Sequence, residues 1–573
     1  MKIQQVGNYS GDIISTTLEN RGITDLELYY NPSSEYDSNP QLIMNIEEGT
    51  QLYLSELDKG TKTGLVVDAD MDGYASGSII YQYSHILRGD ADITPFFHDG
   101  KSHGLTEHIM KQIYKSGVKF LIVPDAGSND VEKIEELENN GIKVLVIDHH
   151  EVDKFTDKGV IINNQLCDHT NKNLVGAGMV YKFLQFIDGQ GIGAIDQFLD
   201  LVAAGQIGDT SDISDPEIRN LVTLGLDNIQ NKFFKEVIGE PQLGRKIAPK
   251  DLSFGLIPLI NAVVRVGTLE ERELIFDAMN NIGADRVFKV VKKKKNPVTK
   301  KFDQVPFDFT VYQQAADVAA KCKARQAALV KKLVAVLEDT VDNNYGVVIG
   351  KVPDDIDPQG VIGLVANKLV GKYDKPCLLL NEKDKGMWTG SGRGHEKTFA
   401  DFRAWCESTN VTEFAQGHAN AFGIGVTDEN LSKLYEAASN VEKLEAVYEV
   451  DILTNKPDAK HAELIDKNQR LFGGSVKEPF IGIMNLTVPK RFISMKGSTL
   501  NVWSYGVSLV QFGSNPNVFA EIMNYPEDTV PLNAVGYYGM NDWGGSRRPQ
   551  LVIKDIEIAN NNNIEVTVDN IIF

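Results

Sequence analysis

Three times along this chain a short apolar run ends in metal-capable side chains: GLVV at 64–67 leads into DADMDG, KFLIV at 119–123 into PDAGSND, and KVLVI at 143–147 into DHH. Short β-branched runs separated by helix-like stretches, such as VEKIEELENNG at 131–141 with its closing glycine, predict a parallel α/β sheet. In such a sheet the carboxyl ends of the strands open on one crevice. Asp68, Asp70 and Asp72, then Asp125, then Asp148, His149 and His150 are therefore expected to meet there. The segment QIGDTSDI adds Asp209 after the apolar helical run LDLVAAG.

So many carboxylates cannot all stay ionised within a few ångströms of one another unless cations neutralise them, because like charges raise each other's pKa. Bound divalent metal resolves the conflict. Oxygen and imidazole ligands without thiolate favour Mn2+ or Mg2+ over Zn2+ or Fe2+. Two such ions about 3.5 to 4 Å apart would share a bridging carboxylate, activate a water and clamp a phosphoester for in-line attack. Asp125, alone at its strand end, is the expected bridge. A calcium-binding EF-hand is disfavoured, since Ile79 stands where its glutamate would be.

Composition narrows the partners. A formal charge of −21 over 573 residues excludes a generally basic nucleic-acid coat and a membrane-surface protein, so a polyanionic substrate must be held by local basic patches or by cations. The four cysteines form no CxxC pair, which speaks against a zinc ribbon or a disulfide framework and for a reduced, cytoplasmic setting. Neither a signal peptide nor a membrane span is expected. One basic window, 286–301, carries RVFKVVKKKKNPVTKK and reads either as a solvated loop or as a contact with a polyanion.

The motifs resemble those of the DHH phosphoesterase superfamily and, within it, the RecJ-like single-strand exonucleases. DADMDG, PDAGSND, DHH and the Asp209 segment are similar to the family's first four motifs, and NKNLVGAGMVYKF and FGLIPLINAVVRVG to its following segments. Arg265 thereby becomes a candidate substrate contact. GSGRG at 390–394 and QGHANAFG at 416–423 resemble the DHH-associated domain; their backbone amides, with Ser391, Arg393, Gly417 and His418, would cradle an oxyanion. NDWGGSRRPQLVIKDIEI looks like the family's OB-type domain, in which Trp543, Arg547 and Arg548, with Trp503 and Tyr505, could stack and track a single strand. The chain departs from the family at VDADMDG, at Gln416, at Leu259 and at HDGKSHGL, which occupies the region of the usual Arg and GYGL.

The resemblance implies an α/β protein: an N-terminal segment (1–50) packing on a DHH catalytic domain (51–305), a connecting helix (306–344), a substrate-binding α/β domain (345–465) and an OB-like β-rich domain (470–573). Asp70, Asp72, Asp125, His149 and Asp209 would hold two Mn2+ or Mg2+ ions, while Asp68, Asp148 and His150 would orient the ligands or bind the scissile phosphate. It further implies a monomeric 5′ to 3′ exonuclease of single-stranded DNA in repair, recombination or replication, working beside single-strand-binding protein or other replication proteins. The alternatives are a phosphodiesterase of short oligonucleotides or cyclic dinucleotides, and an inactive RecJ-like scaffold of a replication complex.

Overall fold

The chain begins with a short strand, β1 (Lys2–Gln5), whose partner comes late in the sequence. Five parallel strands then form the first large sheet: β2 (Thr63–Val67), β3 (Ile93–Phe97), β4 (Phe120–Pro124), β5 (Lys143–Asp148) and β6 (Val160–Asn163), in the order β3-β2-β4-β5-β6. In the computed structural model, residues 1–559 are described, apart from 190, 240–244, 297–298, 339–340, 354–355, 357, 359, 396–397, 442–446, 543–545 and the side chains of 383 and 384. Trp543 and the NNNN turn at 560–563 lie outside the described residues.

Why these strands read as continuous apolar runs follows from their burial on both faces. Leu65, Val67, Leu145 and Ile147 join the main core, while Val66, Val144 and Val146 join a second core on the opposite face. The helices Met71–Leu87 and Gly176–Asp188 cover the first face, Glu107–Ser116 and Val131–Asn139 the second. Strand order reverses between β2 and β4, the topological switch point at which the crevice of such a sheet opens.

The lysine-rich window is neither loop nor linker. It supplies the first strand of an antiparallel ribbon, β7 (Phe288–Lys295) paired with β8 (Phe302–Phe309), because Phe288 and Val290 alternate with lysine at the period of a strand. Thr310 then caps the connecting helix, Val311–Leu337, in a capping box with Gln313. The second α/β unit is a sheet in the order β12-β13-β11-β10-β9, from β9 (Val348–Lys351), β10 (Cys377–Asp384), β11 (Met387–Arg393), β12 (Phe414–His418) and β13 (Ala421–Thr427).

The C-terminal unit is entered earlier than the boundary at 465–470. β14 (Val447–Val450) pairs with β1, and β15 (Ile452–Thr454) pairs with β16 (Phe480–Pro489) of the last sheet. That sheet continues with β17 (Ile493–Lys496), β18 (Thr499–Ser504), β19 (Val507–Phe512), β20 (Thr529–Asn541) and β21 (Arg548–Ile558). β16 and β17, separated by one turn, are the halves of a single bent strand: the first pairs with β20 and the second with β18. With β18 on β19, β19 parallel to β21 and β21 on β20, the circuit closes as a five-stranded OB-type barrel, the helix Pro516–Met523 lying between β19 and β20. No helix among the described residues is long and apolar enough to cross a membrane.

Candidate metal centre

β2, β4 and β5 end side by side, so their terminal residues share one rim. After β2, Asp70 caps the helix Met71–Leu87, accepting the amides of Asp72 at 3.0 Å and Gly73 at 3.1 Å. Asp72, fully buried, accepts in turn the amides of Gly176 at 2.6 Å and Ala177 at 2.9 Å from the first turn of the helix Gly176–Asp188. After β4, Asp125 adopts a left-handed backbone (φ 66°), a conformation aspartate tolerates better than most residues and one that turns its carboxylate back over the sheet edge. Asp209 caps the carboxyl end of the helix Leu199–Gly208.

These groups converge on His149. Its Nε2 lies 3.2 Å from Asp125 Oδ1, 3.7 Å from Asp209 Oδ2 and 3.9 Å from Asp72 Oδ2. Both Nε2 of His149 and Oδ1 of Asp125 are buried without a hydrogen-bond partner among the described residues, an arrangement that fits a cation between them. Asp72, His149 and Asp209 can each offer a ligand atom within 4.8 Å of the others, as can Asp68, Asp70 and His103 on the neighbouring flank. Glycine makes this density possible: a Cβ at Gly176 would lie 2.4 Å from Asp125 Oδ1, and one at Gly205 would lie 2.3 Å from Asp72 Oδ1.

Electrostatics separate the carboxylates into two classes. Burial, with the charge of Asp209 and Asp70 added, pushes Asp72 up to about 7; burial and Asp70 push Asp209 up to about 6; Asp125 is raised well above the carboxylate range by burial and then by Asp72. These are the groups a cation would discharge. Asp68 and Asp148 are also buried, but there hydrogen bonds outweigh the loss of water and hold both low, Asp148 at about 2. Asp68 accepts from Gly104 N at 3.0 Å and from His103, with His98 Nε2 at 3.3 Å. Asp148 accepts from the amides of Ser128, His149 and His150 and from His150 Nδ1 at 2.8 Å. That last bond lifts His150 to about 9, so its half-exposed ring is an imidazolium at neutral pH.

Facing the acids is a cationic wall. Lys101, Arg265 and Arg393 are each lowered in pKa by burial in the cleft, Lys101 and Arg393 also by Arg265, although Lys101 keeps a solvent-reached side chain. Lys101 and Arg265 come from the catalytic unit and Arg393 from the second one. The two units touch here: a Cβ at Gly360 would lie 3.5 Å from Lys101 Cβ and 4.0 Å from Arg265 Cγ. Arg393 donates to Ser391 Oγ at 2.7 Å and lies against Gly363 in the first turn of the helix Ile362–Tyr373. His418 shares a cross-strand row with Ala421 and Arg393, about two strand spacings or 10 Å from the arginine, and is exposed; Gly417 gives its carbonyl to Arg403.

The barrel residues are divided. Trp503 and Tyr505 are exposed at the turn end of the β18–β19 hairpin and Phe512 at its open end, so none of the three is barrel core. Arg548 is exposed at the start of β21, whereas Arg547 is tied to Asp466 and Asp542 and has less to offer a ligand. Residue-by-residue reading overlooked His98, Lys101 and His103. Their signal was two imidazoles and an ammonium within six residues after a β-rich run, inside the very segment that departs from the family pattern.

The model of the DHH family's N-terminal domain matches residues 62–206. The putative SPbeta prophage-derived single-strand DNA-specific exonuclease YorK of Bacillus subtilis is 30% identical to this chain over 98% of both proteins. The single-stranded-DNA-specific exonuclease RecJ of the same organism is 24% identical over 96% of this chain and 68% of its own length. Among solved structures, Thermus thermophilus RecJ in complex with Mn2+ superposes with a TM-score of 0.71 at 18% identity, covering 98% of this chain and 79% of that one.

Proposed function

Since the chain belongs to the DHH family, in its RecJ-like branch, we propose that this nuclease removes nucleotides from the 5′ end of single-stranded DNA by metal-assisted hydrolysis. The observation that carries the reading is the buried pair Asp125 Oδ1 and His149 Nε2, 3.2 Å apart and without hydrogen-bond partners among the described residues, ringed by carboxylates that need a cation to ionise. Asp70, Asp72, Asp125, Asp209 and His149 would hold the metal. When bound, two Mn2+ or Mg2+ ions supply an acidified water and a clamp on the phosphoryl oxygens.

Everything else in the reaction is done by the chain's own groups. Asp68 and Asp148 keep His103 and His150 oriented, and the His150 imidazolium offers its outer N–H to a phosphate oxygen. Lys101, Arg265 and Arg393 grip the adjoining phosphate from the opposite wall, Ser391 holding the Arg393 fork in place. His418, one row further out, meets the next phosphate. The exposed rings of Trp503, Tyr505 and Phe512 lie on the barrel face used by OB folds and stack the bases of a longer strand, beside Arg548. Such a substrate places the protein, acting as a monomer, in DNA repair, recombination or replication.

The test is a Mn2+ titration with end-labelled single- and double-stranded DNA and RNA of several lengths. Short products released from the 5′ end of single-stranded DNA alone are expected. Preferential hydrolysis of dinucleotides, or no metal-dependent hydrolysis of any of them, would overturn the reading.

A further inference from the structure

The ribbon β7–β8 stands apart from the catalytic cleft and takes no part in the reaction described above. Its two faces differ. Phe288, Val290, Lys292, Val305 and Phe309 turn toward the body of the protein: Phe288 packs on the main core, and Lys292 pairs with Asp317 of the connecting helix while lying 5.1 Å above the Phe309 ring. The other face, read from the register, carries Lys289, Val291, Lys293 and Lys295 opposite Asp308, Pro306, Gln304 and Phe302, and all eight are exposed. Val291 is 62% and Phe302 66% exposed, so apolar groups sit uncovered between ammonium groups. Among the described residues Lys289, Lys293 and Lys295 have no ion pair, even with Asp308 across the strand from Lys289.

Residues 286–309 hold eight basic and two acidic side chains in a chain whose net charge is −21. Concentrating positive charge on one anchored, two-stranded projection is what binding to a polyanion demands; a second copy of the ribbon would instead bring lysine against lysine. An exposed phenylalanine between lysines is the pairing that single-strand binders use, bases stacking on the ring and phosphates on the charges. The connecting helix links the ribbon to the cleft. The ribbon joins it at Thr310, and Lys323, about 20 Å further along that helix, lies close enough to Arg265 for the two charges to repel.

We propose that the Lys289–Lys293–Lys295–Phe302 face of this ribbon is a second contact for single-stranded DNA, holding strand outside the cleft. The inference rests on the nuclease reading, and the experiment separates the two. Binding of a long oligo(dT) strand is followed by fluorescence anisotropy over a salt titration, and hydrolysis of a short oligonucleotide is measured in parallel with Mn2+. In the variant Lys289→Gln, Lys293→Gln, Lys295→Gln, affinity for the long strand should fall about 10- to 100-fold at low salt, with the salt slope shallower by about 2, while hydrolysis of the short substrate is retained. Phe302→Ala, which alters no charge, should weaken the long strand about tenfold with the slope unchanged. If the triple variant keeps both affinity and slope, the ribbon inference is wrong. The same holds if only its binding to a polyglutamate peptide falls, which would make the face a docking site for an acidic protein. Should the unaltered protein neither bind nor hydrolyse single strands, it is the nuclease reading that fails. Should the triple variant be unstable, the double change Lys293→Gln, Lys295→Gln at exposed positions must show a slope loss of about 1.4 or the inference falls.

Discussion

At Asp125 one residue carries both a backbone and a chemical constraint. Because its φ is 66°, Asp125→Asn keeps the fold where alanine would strain it, yet removes the charge proposed to hold a cation. Hydrolysis should fall by more than about 100-fold, beyond the usual effect of losing an outer partner of a metal ligand, while the circular dichroism spectrum is unchanged; wild-type turnover would remove Asp125 from the proposed metal set. The raised carboxylates also set a pH dependence. Between the ordinary carboxylate range and their folded values of about 7 and 6, Asp72 and Asp209 bind more protons folded than unfolded, so the metal-free protein should lose stability as pH rises through that window. Cations displace those protons. Calorimetry of Mn2+ binding in buffers of different ionisation enthalpy should therefore show proton release at about pH 6 that fades by about pH 8.

Among the elements, the helix Gly176–Asp188 is the least expected contributor. Its first two amides hold Asp72, and its first residue must be glycine because Asp125 occupies the space of a side chain. Gly176→Ala should weaken Mn2+ affinity at least about tenfold, as measured by calorimetry, with little change in helix content. The barrel hairpin β18–β19 makes an independent prediction. Trp503→Ala with Arg548→Ala should weaken binding to long single strands and leave cleavage of short ones, because neither residue lines the cleft; equal affinity in anisotropy would count against the barrel as a binding face.

Over the whole molecule, the N-terminal segment ties distant parts of the chain together. The N-terminal segment does not pack on the catalytic unit alone: β1 pairs with β14, and Arg21 donates to both oxygens of buried Asp451 at 2.7 and 2.8 Å, whose carboxylate also accepts from Asn20 and Phe480. Arg21→Ala should cost about 2 to 3 kcal/mol, the remaining donors softening the loss of a buried ion pair, and lower the midpoint of thermal unfolding. No sequence pattern announces a contact between residues 21 and 451, since it depends on where two distant segments come to rest. The catalytic sheet was legible for a local reason: strands buried on both faces must be apolar throughout, and the acids at their ends stand out against that background. The lysines of β7 masked a strand because their alternation with Phe288 and Val290 is half hidden by four consecutive charges. His98, Lys101 and His103 went unread because a turn has no period; only the crossing of the loop over Asp68 gives them a role. The sequence by itself therefore determined the parallel sheet, the acidic set at its edge and the cations that set demands, since periodicity and charge repulsion act locally. Which carboxylates are raised and which are held low, which cations face them, and which arginine is already paired were decided only by the tertiary structure, because burial and hydrogen bonding are properties of what the fold brings alongside.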